Sequence, residues 1–60
     1  MIRAINAERG FGFIETPTGD IFFHKSGVRV DFTALSVGAR VAFLFGQGDN
    51  GIKAEDVAVL

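Results

Sequence analysis

The sequence predicts an all-β fold of five short strands in an antiparallel Greek-key barrel. Three observations carry that expectation. Apolar and polar residues alternate with period two in separate short stretches, the pattern of half-buried strands. Turn chemistry separates them: Ala7-Glu8-Arg9-Gly10, Thr16-Pro17-Thr18-Gly19 and Asn50-Gly51. No stretch reads as a helix of ordinary length.

Taken in order, Met1 to Asn6 forms the first strand, with Ile2 as its clearest inward residue. Gly10 to Glu15 is the second. Thr16-Pro17-Thr18-Gly19 has proline at the second turn position and glycine at the fourth, the marks of a type I turn. Asp20 to Lys25 is the third strand and completes an antiparallel meander. Ser26 to Gly38 lacks clean alternation, and a connection of that length usually crosses a barrel end or carries function. Val28, Val30 and Leu35 are expected to plug the core from it, while Phe32 can serve either core or ligand. Ala39 to Phe45 is the fourth strand, with Val41, Phe43 and Phe45 on a core face. Gly46 to Gly51 reads as loop and Ile52 to Leu60 as the last strand, whose apolar phase shifts between Ala54 and Val57 as a β-bulge would make it. One long crossover before the fourth strand fits the OB type of barrel. An SH3-like barrel is the competing arrangement.

Composition narrows the function classes. Sixty residues make one domain at most, 1–60, and such a chain buries only about 60% of its unfolded surface. There is no cysteine, hence no disulfide and no thiolate metal site, which fits a cytoplasmic setting. No apolar run approaches the ~20 residues of a membrane span, and no signal-peptide pattern opens the chain. Six Lys+Arg against seven Asp+Glu give a net charge of −1, which argues against a duplex binder held mainly by phosphates. A single-strand binder held by stacking stays open.

The stretch Arg9 to Ser26, RGFGFIETPTGDIFFHKS, carries the functional reading. Strand alternation sends Ile14, Ile21 and Phe23 inward, and Phe11, Phe13, Phe22 and His24 outward together. A phenylalanine taken singly is usually core. Here the inward face is already claimed, and sixty residues supply no second layer to bury the other. Three phenylalanines and a histidine on a wet face call for a flat, apolar, π-rich ligand such as a nucleobase. Arg3, Arg9, Lys25 and Arg29 lie near this hairpin in sequence, though Arg29, like Arg40 and Lys53, reads as a solvated charge. His24 alone is too few ligands for a zinc site, and no nucleophile–base–orienter pattern accompanies it, so no metal, cofactor or catalytic residue is assigned. Gly10-Phe11-Gly12 lacks the spacing and following helix of a phosphate loop.

RGFGFIE followed by DIFFHKS resembles the paired ribonucleoprotein-like motifs of the cold shock domain family. NAERGFGFI matches the run around its first motif. The likeness extends to Phe32 and Leu35, Val37-Gly38 and Asn50-Gly51, and so covers nearly the whole chain. It implies a cold-shock-like OB barrel that binds single-stranded RNA or DNA, pyrimidine-rich by preference, as an RNA chaperone or a cold-shock-type regulator of transcription or translation. Carried over by position, Phe11, Phe13, Phe22 and His24 are the platforms. Phe32 flanks them from the crossover, and Arg3 and Lys25 approach the backbone or base edges. The family commonly has Lys-Trp-Phe where this chain has Arg3-Ala4-Ile5, and an aromatic where it has Lys25. Both departures imply weaker binding than in a member that keeps the tryptophan.

Two other classes compete. In a protein-interaction module the aromatic face would dock a peptide or a second subunit, and a long crossover allows a strand-exchanged dimer as well as a monomer. A small nuclease ranks last, because no cluster of carboxylates or histidines stands ready for phosphodiester hydrolysis.

Overall fold

The computed structural model describes residues 1–48 and 51–60. Strands β1 (Ile2–Asn6), β2 (Phe11–Thr16), β3 (Gly19–His24), β4 (Val41–Gly48) and β5 (Gly51–Val59) form one sheet in the order β1-β2-β3-β5-β4. The β1-β2-β3 meander is as the alternation implied, with Ile14 opposite Ile21 and Phe13 opposite Phe22. β4 and β5 form a second antiparallel hairpin, joined to the meander through a short parallel pairing of Phe22 with Lys53 and Phe23 with Ala54. That parallel contact is what the crossover makes possible. Across the opposite edge, the Ile2 N–H donates to Ala39 O (2.9 Å) and the Gly38 N–H to Ile2 O (2.8 Å), tying β1 to the approach to β4. The arrangement is that of an OB fold.

The core is small and wholly apolar. Ile2, Ile14, Ile21, Phe23, Leu35, Ala54 and Val57 are buried, with Ile5, Val28, Phe32, Ala39, Val41 and Phe43 packed against them. Gly12 explains how Phe23 fits. A Cβ there would stand 2.7 Å from the Phe23 ring, so only glycine lets β2 lie this close over it. The expected bulge in β5 is present. Two steps along β4, Ala42 to Leu44, match three along β5, Ala58 to Glu55, and the surplus falls at Asp56, whose φ is +52°. β1 carries a second bulge, at Arg3.

The crossover is built from two 3₁₀ turns, Lys25–Gly27 and Phe32–Ala34. Each is capped by the residue before it: His24 accepts from the Ser26 N–H, and Asp31 from the Thr33 N–H. The Thr33 hydroxyl also donates to Asp31 Oδ1, at 2.8 Å. Those two hydrogen bonds, the hydroxyl's first, hold the Asp31 carboxyl below the usual carboxylate range. Val28 bridges to Val57 and Leu35 is buried, as plugs of the core should be.

Four expectations are corrected. Val30 does not plug the core; it lies two residues past the Val28 bridge and is exposed. Phe45 shares the inward face with Val41 and Phe43 but is 71% exposed, because β4 is an edge strand of the sheet; its ring meets that of Phe43, centroids 5.4 Å apart. β4 begins at Val41 rather than Ala39 and continues through Gly46, Gln47 and Gly48, which pair with Lys53, Ile52 and Gly51. β3 ends at His24, and Lys25 opens the first 3₁₀ turn. The Asn50-Gly51 turn falls, at Asn50, outside the described residues.

Candidate nucleic-acid interface

Register assembles the site. Residues directly opposite on neighbouring strands share a face, so one row runs across the sheet as Ala4, Phe13, Phe22, Lys53 and Gly46. On one side of it lies a row of Asn6, Phe11 and His24, and on the other Glu15 and Asp20. None of these side chains is buried. They stand on the outside of the sheet whose inside holds Ile14, Ile21 and Phe23.

The three phenylalanines form one cluster. Phe11 and Phe22 stack at 5.8 Å between centroids, and Phe13 meets Phe11 edge-on at 6.1 Å and Phe22 at 6.0 Å. Phe13 is 37% exposed and Phe22 36%, so part of each ring stays open. Mutual packing keeps the rings in place before any ligand arrives, which lowers the ordering cost of binding.

His24 completes the cluster opposite Phe11. The Ser26 N–H lies 3.1 Å from its Nδ1 and can only donate. Nδ1 therefore accepts, and the proton of the neutral ring sits on Nε2. Ser26 Oγ, 2.9 Å from the same nitrogen, directs its hydrogen there too. The 3₁₀ cap thus fixes the tautomer and leaves Nε2–H as the ring's free donor.

The charged residues divide between the two ends. The β1 bulge lets Arg3 join Ala4 on this face, where its guanidinium lies 3.5 Å from Asp20 and 3.8 Å from Glu15. Two carboxylates against one guanidinium leave that end net negative. Lys25 stands at the His24 end, its stem folded across Gly10, whose φ of +75° and lack of Cβ make room for it. Phe32 stands apart from the three-ring cluster. It is half-buried, and its ring pairs with Phe23 in the core at 6.0 Å.

Lys53 is the residue the sequence did not disclose. It reads there as a solvated charge, yet the parallel β3–β5 pairing sets it beside Phe22. Together with His24, Ser26 and Ile52 it lines a cleft of about 440 Å³ between the end of β3 and the β4–β5 hairpin. Nothing in a single strand's alternation signals which other strand will lie next to it. No group of three or more metal-ligating side chains occurs among the described residues, and no helix is long and apolar enough to cross a membrane.

Residues 1–60 match the family model of the 'Cold-shock' DNA-binding domain. The chain belongs to that family. It is similar to the cold shock protein CspC of Bacillus subtilis, 43% identical over 58 residues that cover 93% of this chain and 88% of the relative. The cold shock protein CapB of Pseudomonas syringae pv. tomato is 38% identical, with 98% of this chain and 88% of the relative covered. The major cold shock protein of Streptococcus pyogenes serotype M18 is 39% identical, with 98% and 91% covered. Membership makes this a nucleic-acid-binding cold-shock protein rather than an enzyme. The exposed aromatic cluster is consistent with that role.

Proposed function

We propose that the chain, as a single cold-shock-like domain, binds single-stranded RNA or DNA in the cytoplasm. Bases stack on Phe11, Phe13, Phe22 and His24, with pyrimidine-rich strands preferred. The observation that carries this reading is the three-ring cluster on the outer face, held by mutual packing and left partly exposed. The mechanism is equilibrium trapping. Bases that unpair transiently are captured on the face, and because the duplex cannot stack there, binding shifts the pairing equilibrium toward single strands. That is the action of an RNA chaperone, and of a regulator that works by opening structure in transcripts. No nucleotide hydrolysis enters into it.

Stacking contributes about 1–3 kcal/mol per base. Four platforms, none larger than Phe, supply roughly 6–8 kcal/mol before ordering costs. A micromolar Kd corresponds to about 8 kcal/mol, so binding in the micromolar range is expected. Fluorescence anisotropy of labelled seven-nucleotide dT, dA and U strands tests this, the label being needed because the chain has neither Trp nor Tyr. Wild type should bind in that range, and Phe22→Ala should weaken binding about tenfold, the scale of one lost stack. Folded protein that ignores every strand at tens of micromolar, while sedimenting as a tight dimer, would favour the docking-module reading instead.

A further inference from the structure

We infer that β4 is a dimerisation edge, to which a second copy of this chain adds its own β4 antiparallel about a two-fold axis. The inference stands apart from the single-strand reading and concerns another part of the molecule. The two edges of the sheet differ. β1 is protected: it is bulged at Arg3, and Ile2 exchanges two backbone hydrogen bonds with Gly38 and Ala39. β4, VAFLFGQG, carries neither charge nor proline, the usual devices that keep an edge from pairing. Among the described residues, no backbone hydrogen bond links Val41–Gly48 to any element other than β5. Alternate residues of such an edge turn N–H and C=O outward, where a further strand can take them.

The side chains suit a second copy. Leu44 is 61% exposed on the outer face and Phe45 71% on the inner one, with Ile52 behind them 62% exposed. Taking about 200 Å² for each side chain in full, they leave roughly 400 Å² of apolar surface uncovered, the scale of the largest patch on a monomer. That is about half of the ~800 Å² per partner that a standard interface buries, so the dimer is a weak one. A two-fold axis through the middle of β4 sets Leu44 and Phe45 against the same segment of the partner, an isologous contact. An uncharged strand offers nothing for a charged partner to read. Behind its middle, opposite Leu44 and Gly46, Glu55 and Lys53 pair with each other at 3.8 Å, so their charges balance. A net charge of −1 leaves little repulsion between copies. Residues opposite one another share a face, so the outer aromatic faces of the two copies come onto the same side of one continuous sheet.

Sedimentation of the chain from about 10 µM to about 1 mM, the range of weak interfaces, tests this. Interference optics are needed because Trp and Tyr are absent. The wild-type mass should rise from 6.4 kDa toward twice that value. Amide shifts over the same dilution series should move along Val41–Gly48 and stay fixed at Phe11, Phe13 and Phe22. Leu44→Lys and Phe45→Lys each place a charge on the edge, and each should remain monomeric throughout. Both positions are exposed, so both variants should keep the wild-type urea midpoint. Val37→Lys changes an exposed apolar residue outside β4 and should dimerise as wild type does. A wild type that stays at 6.4 kDa up to about 1 mM would overturn the inference, leaving the edge to a foreign strand or to none. So would dimers that persist in both folded lysine variants, or that Val37→Lys abolishes equally. Shifts centred on Phe11, Phe13 and Phe22 would overturn it too, and would favour the docking-module reading over the single-strand one. The other failures leave the single-strand reading standing.

Discussion

In the proposed binding mode, Ala4 is the position on the face that offers a base least. It is exposed and opposite Phe13, at the β1 end of the row that continues through Phe22 to Lys53. A methyl group there leaves the β1 end of the platform open. Arg3 beside it is paired with Asp20 and Glu15, and so is not free to grip a phosphate. Replacing Ala4 with Trp should extend the stacking surface without disturbing the core, because the position faces outward. One added stack predicts about tenfold tighter binding of a seven-nucleotide dT strand. The new indole supplies its own readout, since quenching on titration follows occupancy directly. An Ala4→Trp protein that binds no better than wild type would place β1 outside the footprint. The outward course of the aromatic residues was legible in the sequence. Phe11, Phe13, Phe22 and His24 alternate with residues whose inward course is unambiguous, and register keeps them together. Phe32 was not legible, because a residue in an irregular crossover has no alternation to declare its side.

At the scale of elements, the hairpins and the β5 bulge could be read because each is a local device. Pro17 and Gly19 mark one turn, and the phase slip from Ala54 to Val57 marks the bulge. The fate of Phe45 could not be read. Period-two patterning names the face a side chain takes but not whether another element covers that face, and Phe45 on its edge strand stays largely exposed. The neighbours of Lys53 were hidden for a related reason, since β3 and β5 are joined only through the crossover's path in space. That path is set partly by Asp31, which caps the second 3₁₀ turn through two hydrogen bonds from Thr33 and so helps seat Phe32 and Leu35. Its carboxyl is held below the ordinary carboxylate value in the fold. A depressed folded-state pKa contributes stability that is present above the unfolded value, about 3.9, and is lost as pH falls through the lowered one. Asp31→Ala should therefore have a lower urea midpoint than wild type at pH 7. The gap between the two should narrow as the pH is taken below about 4. A gap that stayed constant with pH would mean that Asp31 acts through backbone preference rather than through its charge.

For the molecule as a whole, the charge pattern decides how binding responds to salt. The net charge is −1, and the proposed binding face carries its own carboxylates, Glu15 and Asp20, at the end opposite Lys25. A strand lying across this face meets aromatic rings first; Arg3 there is matched by Glu15 and Asp20, and Lys25 and Lys53 stand near His24. At most two phosphates can then be neutralised by the face. With a slope of about −0.7 per phosphate for single strands, log Kobs should fall with log salt no more steeply than about −1.5. Raising salt from 50 to 200 mM would then cost less than about tenfold in affinity. A protein held by six to ten phosphate contacts loses about 10³–10⁵ over the same range. The salt titration with labelled dT decides between the two regimes. A slope near −3 or steeper would mean that Arg9 or Arg29 tracks the backbone as well, and the strand would have to run past the aromatic face onto the crossover. A shallow slope, together with a large loss in Phe22→Ala, would assign the affinity to the rings. Such a protein would keep its grip on unpaired strands across wide changes in ionic strength, because stacking is not screened by salt.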